Sequence, residues 1–153
     1  MNSQIPQLIA SQQNYFQQNK TKPVKFRINQ LKKLFNIIKE NEADLYKAIE
    51  LDFKKSKFDT YTTELAPVYI EIKEAIRKIE KWTKTRKVRT NLVNLPAKSY
   101  IIPEPLGVSL IIGAWNYPYN LTFSPVVAAI AAGCTVVLKP SELASNTSAV
   151  IHK

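Results

Sequence analysis

Two short apolar runs near the end of the chain, GVSLII (107–112) and CTVVL (134–138), constrain its fold more than any other feature. Each has the length and the β-branched content of a strand that is covered on both faces, as in a parallel sheet. Between them lies SPVVAAIAAG (124–133), which has a helical pattern with Gly133 as its stop. A connection of about twenty residues is long enough to join parallel neighbours. The sequence therefore predicts a strand–helix–strand unit in an α/β fold.

The start of the connecting helix has two interpretations. Ser124 and Pro125 suit the cap and the first position of a helix. Alternatively, the helix begins near Pro118 and bends at Pro125, where the ring removes a backbone donor. The sequence leaves both open.

The first half of the chain has a helical period. Four apolar stripes at three- and four-residue steps predict four helices between about residues 3 and 85, and we expect all four stripes to be core. Pro23 and Asn41 suit the starts of the second and third helices. Residues 86–106 contain scattered Pro and Asn, which predict a connector with one or two short strands. The stripes are, in chain order, Ile5, Leu8, Ile9 and Phe16, with Gln12 on the same face; Phe26, Ile28, Leu31, Leu34, Phe35 and Ile38; Leu45, Ala48 and Ile49; and Leu65, Val68, Tyr69, Ile72, Ile76, Ile79 and Trp82.

Polar side chains follow both predicted strands. Residues 113–117 leave the first strand and residues 138–142 leave the second, and parallel sheets bind ligands outside these carboxyl ends. Lys139 and Glu142 bring together an ammonium and a carboxylate, which suit the two hydroxyls of a ribose. Alternatively, KPSE (139–142) only begins the next helix, with Ser141 as its N-cap. The sequence lacks the G-x-G-x-x-G motif, so it does not predict an ordinary dinucleotide site.

The turn after the first strand, GAWNYP (113–118), contains a Trp, an Asn and a Tyr where surface loops usually have small polar residues. An Asn116 amide held rigidly at the mouth of the sheet can donate a hydrogen bond to a developing oxyanion. The same side chain can instead cap a helix that starts near Pro118. Trp115 and Tyr117 suit the wall of a cofactor or substrate site, or the interior of a core.

Charge and composition exclude several classes of function. The formal charge of +10 suggests a nucleic-acid partner, but the basic residues alternate with acidic ones, as in IKEAIRKIEK (72–81). We therefore expect solvated helix faces and no nucleic-acid partner. The single histidine, His152, argues against a His-based metal site, and the single cysteine, Cys134, favours a reducing cytoplasm. The polar start MNSQIPQLIAS is unlike a secretory signal, and no run approaches the roughly 18 apolar residues of a membrane segment.

The segments PLGVSLIIGAWNYPYNL (105–121) and AAIAAGCTVVLKPSE (128–142) resemble the aldehyde dehydrogenase superfamily. The class 3 branch, which oxidises fatty and aromatic aldehydes, is the most similar, and FRINQLKKL (26–34) extends the resemblance into the helical half. The resemblance implies a helical part of the cofactor-binding domain (1–85), a connector (86–106) and the start of an atypical Rossmann-like NAD(P)-binding sheet (107–153). It also implies that the catalytic domain is absent from the chain.

The resemblance assigns roles to individual residues. Asn116 matches the asparagine that stabilises the oxyanion, and Lys139 and Glu142 match positions that contact the adenosine ribose of NAD or NADP. Glu142 favours NAD, because a 2′-phosphate would face its carboxylate. Tyr117 matches a position near the aldehyde-substrate pocket, and a homodimer is implied because class 3 members are commonly dimers. The remaining cofactor-lining positions are Ile112, Gly113, Ala114, Trp115, Pro140 and Ser141.

The chain departs from the family in its nucleophile and base. The resemblance places both the catalytic cysteine and the glutamate base well downstream of KPSE, and we expect Cys134, at the start of a buried strand, to be inert packing. The sequence therefore predicts a truncated N-terminal part of an NAD(P)-dependent aldehyde dehydrogenase, inactive alone. The alternatives are a non-catalytic nucleotide-binding or interaction module and, less favoured, a basic nucleic-acid-binding helical protein.

Overall fold

A computed structural model describes residues 4–153 of the protein, which form seven α-helices and four short strands. A π-helical turn (Tyr61–Leu65) joins α4 to α5, and a 3₁₀ turn (Leu92–Asn94) lies between β1 and β2. The helices are α1 (Gln4–Gln17), α2 (Val24–Glu40), α3 (Glu42–Phe53), α4 (Lys57–Thr60), α5 (Ala66–Trp82), α6 (Asn120–Ala132) and α7 (Ser145–His152). The strands are β1 (Arg86–Val88), β2 (Ser99–Ile101), β3 (Val108–Ile112) and β4 (Thr135–Lys139).

The core forms where α2, α3, α5 and α6 pack together. The stripes predicted for the second, third and fourth helices supply most of it, including the fully buried Leu31, Ile49 and Ile72. Tyr119, at the start of α6, is also fully buried, and its hydroxyl donates a hydrogen bond to the carbonyl of Leu45, 2.8 Å away. The predicted helix starts are confirmed, because Pro23 precedes α2 and Asn41 precedes α3.

The prediction that all four stripes are core is wrong for α1. No residue of α1 is buried, and Ile5, Leu8 and Ile9 are exposed. Among the helices and strands described in residues 4–153, α1 contacts β4 and β3 alone, so its apolar face has little to pack against. Trp82, at the end of the α5 stripe, is half exposed because the helix ends there.

The strands form two separate two-stranded sheets. In the connector, β1 pairs with β2 in antiparallel register, which confirms the predicted short strands. β3 pairs with β4 in parallel, with Val108 opposite Thr135 and Ile112 opposite Lys139. α6 connects β3 to β4 and packs against both. The predicted strand–helix–strand unit is therefore confirmed.

The prediction that the 107–112 strand is covered on both faces is wrong. Ile111 is buried, whereas its neighbours Leu110 and Ile112 are each 65% exposed. Successive side chains of a strand point to opposite faces, so one face of β3 is covered and the other is open within this chain.

Of the two proposed starts for the connecting helix, the earlier one is nearer the structure. α6 begins at Asn120 and contains Pro125 within it, so Ser124 is not its cap. Gly133 ends the helix with a φ of 90°, a conformation that glycine adopts without strain. None of the helices described in residues 4–153 combines the length and the apolar character needed to cross a membrane.

Candidate active site

The loops that follow β3 and β4 meet at one edge of the sheet. The backbone N–H of Gly113 donates to the carbonyl of Lys139 at 2.8 Å, which extends the parallel pairing one residue beyond β3. A Cβ at position 113 would lie 2.3 Å from Oγ1 of Thr122 on α6, so only glycine fits between strand and helix. The loops containing Asn116 and Lys139 are therefore neighbours, as the parallel arrangement predicts.

The charged groups of Lys139 and Glu142 contact each other; Lys139 is the last residue of β4, and Glu142 lies in the loop that follows. Both side chains are exposed, and the hydrogen bond from Lys139 holds the pKa of the Glu142 carboxyl below its usual value. Beside them, Leu138, Pro140 and Glu142 line one wall of an open groove of about 610 Å³, and the other wall is α7. The pair is thus accessible to a ligand and offers it one cation and one anion.

The alternative that Ser141 is the N-cap of the following helix is wrong. Oγ of Ser141 accepts a hydrogen bond from the N–H of Leu143, 3.3 Å away, whereas α7 begins at Ser145. The side chain that caps α7 is Asp52, from the end of α3. Its Oδ1 accepts from the backbone and side-chain amides of Asn146, at 3.1 and 2.8 Å, and its Oδ2 accepts from the amide and hydroxyl of Thr147, both at 2.7 Å.

These four hydrogen bonds also determine the charge of Asp52. Partial burial alone would raise the pKa of its carboxyl. The hydrogen bonds from Thr147 and Asn146 outweigh that effect and hold the pKa below its usual value. Asp52 therefore stays ionised and satisfies donors at the N-terminus of α7.

Asn116 does not cap a helix. Its side chain is exposed at the edge of the sheet, and no hydrogen bond joins it to another of residues 4–153. The N-terminus of α6 is capped by Glu64, whose Oε2 accepts from the N–H groups of Tyr119 and Asn120, both at 3.1 Å. The Asn116 amide is therefore free to bind a ligand.

The aromatic residues of the first loop connect it to the helical half. The ring of Trp115 lies against Phe53 at the end of α3, with ring centroids 6.5 Å apart. The ring of Tyr117 lies under Nζ of Lys55, which is 4.4 Å from its centroid. Trp115 and Tyr117 remain partly exposed, so neither is a core residue.

Arg27 holds the opposite end of α6. Its guanidinium donates to the carbonyls of Thr21, Lys22 and Ala131, at 2.8, 2.8 and 3.2 Å. Burial lowers the pKa of this arginine, but the guanidinium remains a cation at the C-terminal end of the α6 dipole. α6 is therefore fixed at both ends by charged residues of the helical half.

Sequence reasoning missed Arg27, Asp52 and Glu64. Each is a charged residue on the apolar stripe of its own helix: Arg27 lies four residues before Leu31, and Glu64 four before Val68. A charged side chain on a buried stripe needs a hydrogen-bond or ion-pair partner. Its presence on the stripe was therefore the sequence signal that such a partner exists. The partner itself could not be predicted, because Glu64 bonds residues 55 and 56 positions away and Asp52 bonds residues 94 and 95 positions away.

Two features lie outside the site. Cys134 directly precedes β4 and is partly exposed, so it is less buried than expected. A mostly apolar cavity of about 760 Å³ lies between α5 and α6, and its lining includes none of the predicted site residues. Within residues 4–153, no three His, Cys, Asp or Glu side chains group closely enough to hold a metal ion.

Known proteins provide a comparison for this arrangement. Residues 1–153 match the aldehyde dehydrogenase family. The chain is 43% identical over 149 residues to 4,4'-diaponeurosporen-aldehyde dehydrogenase of Staphylococcus aureus, covering 97% of this chain and 32% of that protein. It is 42% identical over 144 residues to the dimeric NADP-preferring aldehyde dehydrogenase of Canis lupus familiaris, covering 94% and 32%.

The fold agrees with a solved structure. The substrate-bound state of Staphylococcus aureus AldH superposes with a TM-score of 0.94 and 44% identity, covering 99% of this chain and 33% of that one. The chain thus spans about a third of the length of the relatives it matches. It belongs to the aldehyde dehydrogenase family and is similar to the N-terminal third of class 3-like members.

Proposed function

We propose that the chain is the cofactor-binding and oxyanion-binding part of an NAD(P)-dependent aldehyde dehydrogenase that oxidises aldehydes to carboxylic acids. The observation that carries the proposal is the pairing of β3 with β4, which places the Asn116 loop and the Lys139–Glu142 pair at one edge of the sheet. Ligands of parallel sheets bind at this edge. The family relationship supports NAD(P) as the ligand at this edge.

Lys139 and Glu142 suit the ribose of NAD(P). Both side chains are exposed, and among residues 4–153 their charged groups pair with each other, so a diol can take over this ion pair by accepting from the ammonium and donating to the carboxylate. Ile112, Gly113, Ala114 and Trp115 would line one side of the dinucleotide, and Pro140 and Ser141 the other. The cofactor, when bound, accepts the hydride that the aldehyde carbon loses.

We propose NAD as the preferred cofactor, because Glu142 would repel a 2′-phosphate. The dimeric relative from Canis lupus familiaris is named as NADP-preferring, so this choice needs its own measurement. Comparison of kcat/KM for NAD and NADP in Glu142→Gln decides the matter. The variant should have a higher kcat/KM for NADP relative to that for NAD than the wild type has. An unchanged ratio of the two kcat/KM values would contradict the argument from Glu142.

Asn116 is the proposed oxyanion donor. Its amide is exposed at the mouth of the sheet, and its backbone is fixed on both sides by Gly113 and by the capped start of α6. A donor whose backbone is already held in place needs less reorganisation when the aldehyde oxygen gains charge, which makes such donors effective. The cysteine nucleophile and the glutamate base of the family would come from beyond this segment. Tyr117, next to Asn116, would contact a fatty or aromatic aldehyde.

Further properties of the whole enzyme are part of the proposal. Residues 1–85 would form the helical part of the cofactor domain, 86–106 a connector, and 107–153 the first part of its sheet. We propose a homodimer, because a 42% identical relative is named as dimeric. We propose a cytoplasmic location on the strength of the single cysteine.

The test is Asn116→Ala in the complete enzyme that contains this segment. Loss of an oxyanion donor should lower kcat by about 100- to 1,000-fold and leave the KM for NAD(P) nearly unchanged. Asn36→Ala, at an exposed position of α2, is the matched control and should retain normal kcat. Substrate oxidation is followed by the formation of the reduced cofactor.

Lys139→Ala tests the other half of the site. Removing one charged hydrogen bond to the ribose should raise the KM for NAD(P) by roughly 10- to 100-fold while kcat stays within a few-fold. A normal KM for NAD(P) combined with a much lower kcat would show that Lys139 acts in the chemical step and would contradict its assignment to the ribose.

For Asn116→Ala, a normal kcat would contradict the proposed oxyanion role.

A further inference from the structure

Glu64 is a fully buried side chain whose carboxylate binds the backbone just after the turn that contains Asn116. Its Oε2 accepts hydrogen bonds from the N–H groups of Tyr119 and Asn120, three and four residues after Asn116. Its Oε1 accepts from Nζ of Lys55 at 2.7 Å. Both oxygens thus accept hydrogen bonds from groups that surround a single loop.

The π-helical turn explains how Glu64 reaches this place. Residues Tyr61–Leu65 form this turn between α4 and α5, and Glu64 is its fourth residue. A π turn takes one more residue than an α turn, which rotates the following side chains around the helix axis. Asn120 also donates from its Nδ2 to the carbonyl of Thr63 at 3.1 Å, so two consecutive residues of the π turn hold the start of α6. π turns are rare and frequently occur at functional sites.

Lys55 connects Glu64 to the aromatic side of the loop. Its Nζ binds Oε1 of Glu64 and also lies 4.4 Å from the centroid of the Tyr117 ring. The lysine side chain is only 19% exposed, so water screens these contacts weakly. Glu64 therefore fixes Lys55, and Lys55 fixes the side chain next to Asn116.

We propose that Glu64, together with Lys55, is a positioning residue for the Asn116 amide. The proposal rests on the proposed function, since it concerns the same oxyanion site. The carboxylate holds the backbone after Asn116, and the lysine holds the ring of Tyr117, so together they fix the position of the turn from which the Asn116 amide would reach the substrate. Glu64 does not touch the substrate and acts only through Asn116.

Glu64→Gln in the complete enzyme is the first test. A glutamine turns one N–H₂ group toward either Lys55 or the two backbone donors, so one of the two contacts is lost. Misplacement of the amide should lower kcat by roughly 10- to 100-fold and leave the KM for NAD(P) unchanged. Glu80→Gln, an exposed carboxyl of α5, is the matched control and should leave both constants unchanged.

Asp52→Asn separates positioning from general destabilisation. It also removes a carboxylate cap, but from α7, which follows the cofactor loop. Assays are run at a temperature where circular dichroism shows both variants fully folded. We expect kcat to fall in Glu64→Gln and not in Asp52→Asn. An equal fall in both variants would show that Glu64 acts only through stability and would overturn the proposal.

Lys55 provides a second series that does not depend on the folding of a Glu64 variant. Lys55→Met keeps the apolar stem and loses both contacts, so its kcat should fall by roughly 10-fold. Lys55→Arg keeps a cation between the carboxylate and the Tyr117 ring and should restore kcat to within about threefold of wild type. Equal kcat values in the Met and Arg variants would contradict the role of Lys55.

The double variant Asn116→Ala/Glu64→Gln decides whether the effect passes through Asn116. If it does, Glu64→Gln lowers kcat in the wild-type background and has no further effect when Asn116 is already alanine. If Asn116→Ala lowers kcat and Glu64→Gln lowers it again by the same factor, the proposed function survives and the positioning role is overturned. If Asn116→Ala alone leaves kcat normal, the proposed oxyanion site fails, and the positioning role fails with it.

Discussion

The helices of residues 24–82 and the strands of residues 108–139 differ in how completely their apolar side chains are buried. In the helical region, Leu31, Ile49 and Ile72 are fully buried among one another. In the strand region, β3 has only Ile111 buried, and its neighbours Leu110 and Ile112 are mostly exposed. The core-facing apolar side chains of the helical region are therefore covered within this chain, with α6 completing the core, whereas β3 is covered on one face only.

The two regions are joined by apolar packing of α6 against α2 and α5, and also by charged groups at helix ends. Three charged residues of the helical region, Arg27, Asp52 and Glu64, bind the ends of the helices that accompany the sheet. Each supplies the charge that complements the helix terminus it meets. The comparison teaches that apolar packing fills the core of the helical region, whereas directional hydrogen bonds from charged residues fix the ends of the helices beside the sheet.

The largest effect should come from Ile72→Ala. Ile72 is fully buried in α5, so truncation removes apolar contacts and leaves a cavity, at a cost of about 2–5 kcal/mol in unfolding free energy. Ile70→Ala on the same helix is the matched control, because Ile70 is 63% exposed, and it should cost under about 0.5 kcal/mol. Urea unfolding of the 153-residue chain measures both. Similar losses would show that the helical core is not the main source of stability.

Arg27→Met should have the next largest effect. The methionine keeps much of the apolar stem but leaves the carbonyls of Thr21, Lys22 and Ala131 without their charged donor. We expect a loss of about 2–3 kcal/mol. Arg77→Met, at an exposed position of α5, should be nearly neutral in the same unfolding experiment. A neutral Arg27→Met would show that water replaces the guanidinium and that this junction contributes little.

The sequence predicted where the site lies better than it predicted the charged residues that cap the helices beside it. β3 and β4 were recognisable as short apolar runs, and parallel pairing alone brings Gly113 next to Lys139. The caps were not predictable, because Asp52 and Glu64 bind residues far away in the sequence. The exposure of Leu110 was not predictable either, since an apolar run indicates that a strand suits burial and not which segment covers it.

Asp52→Asn tests the α7 junction and its dependence on pH. The loss of the charged cap should cost about 1–2 kcal/mol at neutral pH. The pKa of Asp52 is lower in the folded state, so its contribution is complete above the unfolded value of about 3.9 and is lost as the pH falls through the folded value. The stabilities of wild type and variant should therefore converge in acid.

The control for this titration is Glu50→Gln, an exposed carboxyl on the same helix. It should change stability little at neutral pH and should follow the wild-type curve in acid. A constant difference between wild type and Asp52→Asn from pH 7 down to about pH 2 would contradict the role of the ionised cap.

The smallest effect should come from Leu110→Lys, which tests the comparison most directly. Leu110 is 65% exposed and lies on the open face of β3, so a lysine there can keep its ammonium in water. We expect a change within about 1 kcal/mol in the urea unfolding of the 153-residue chain. Ile111→Lys, one residue further on the covered face, buries the charge and should unfold the strand–helix–strand unit or cost several times as much. If both variants were equally destabilised, both faces of β3 would be covered within this chain, and the contrast between the helical region and the sheet would be wrong.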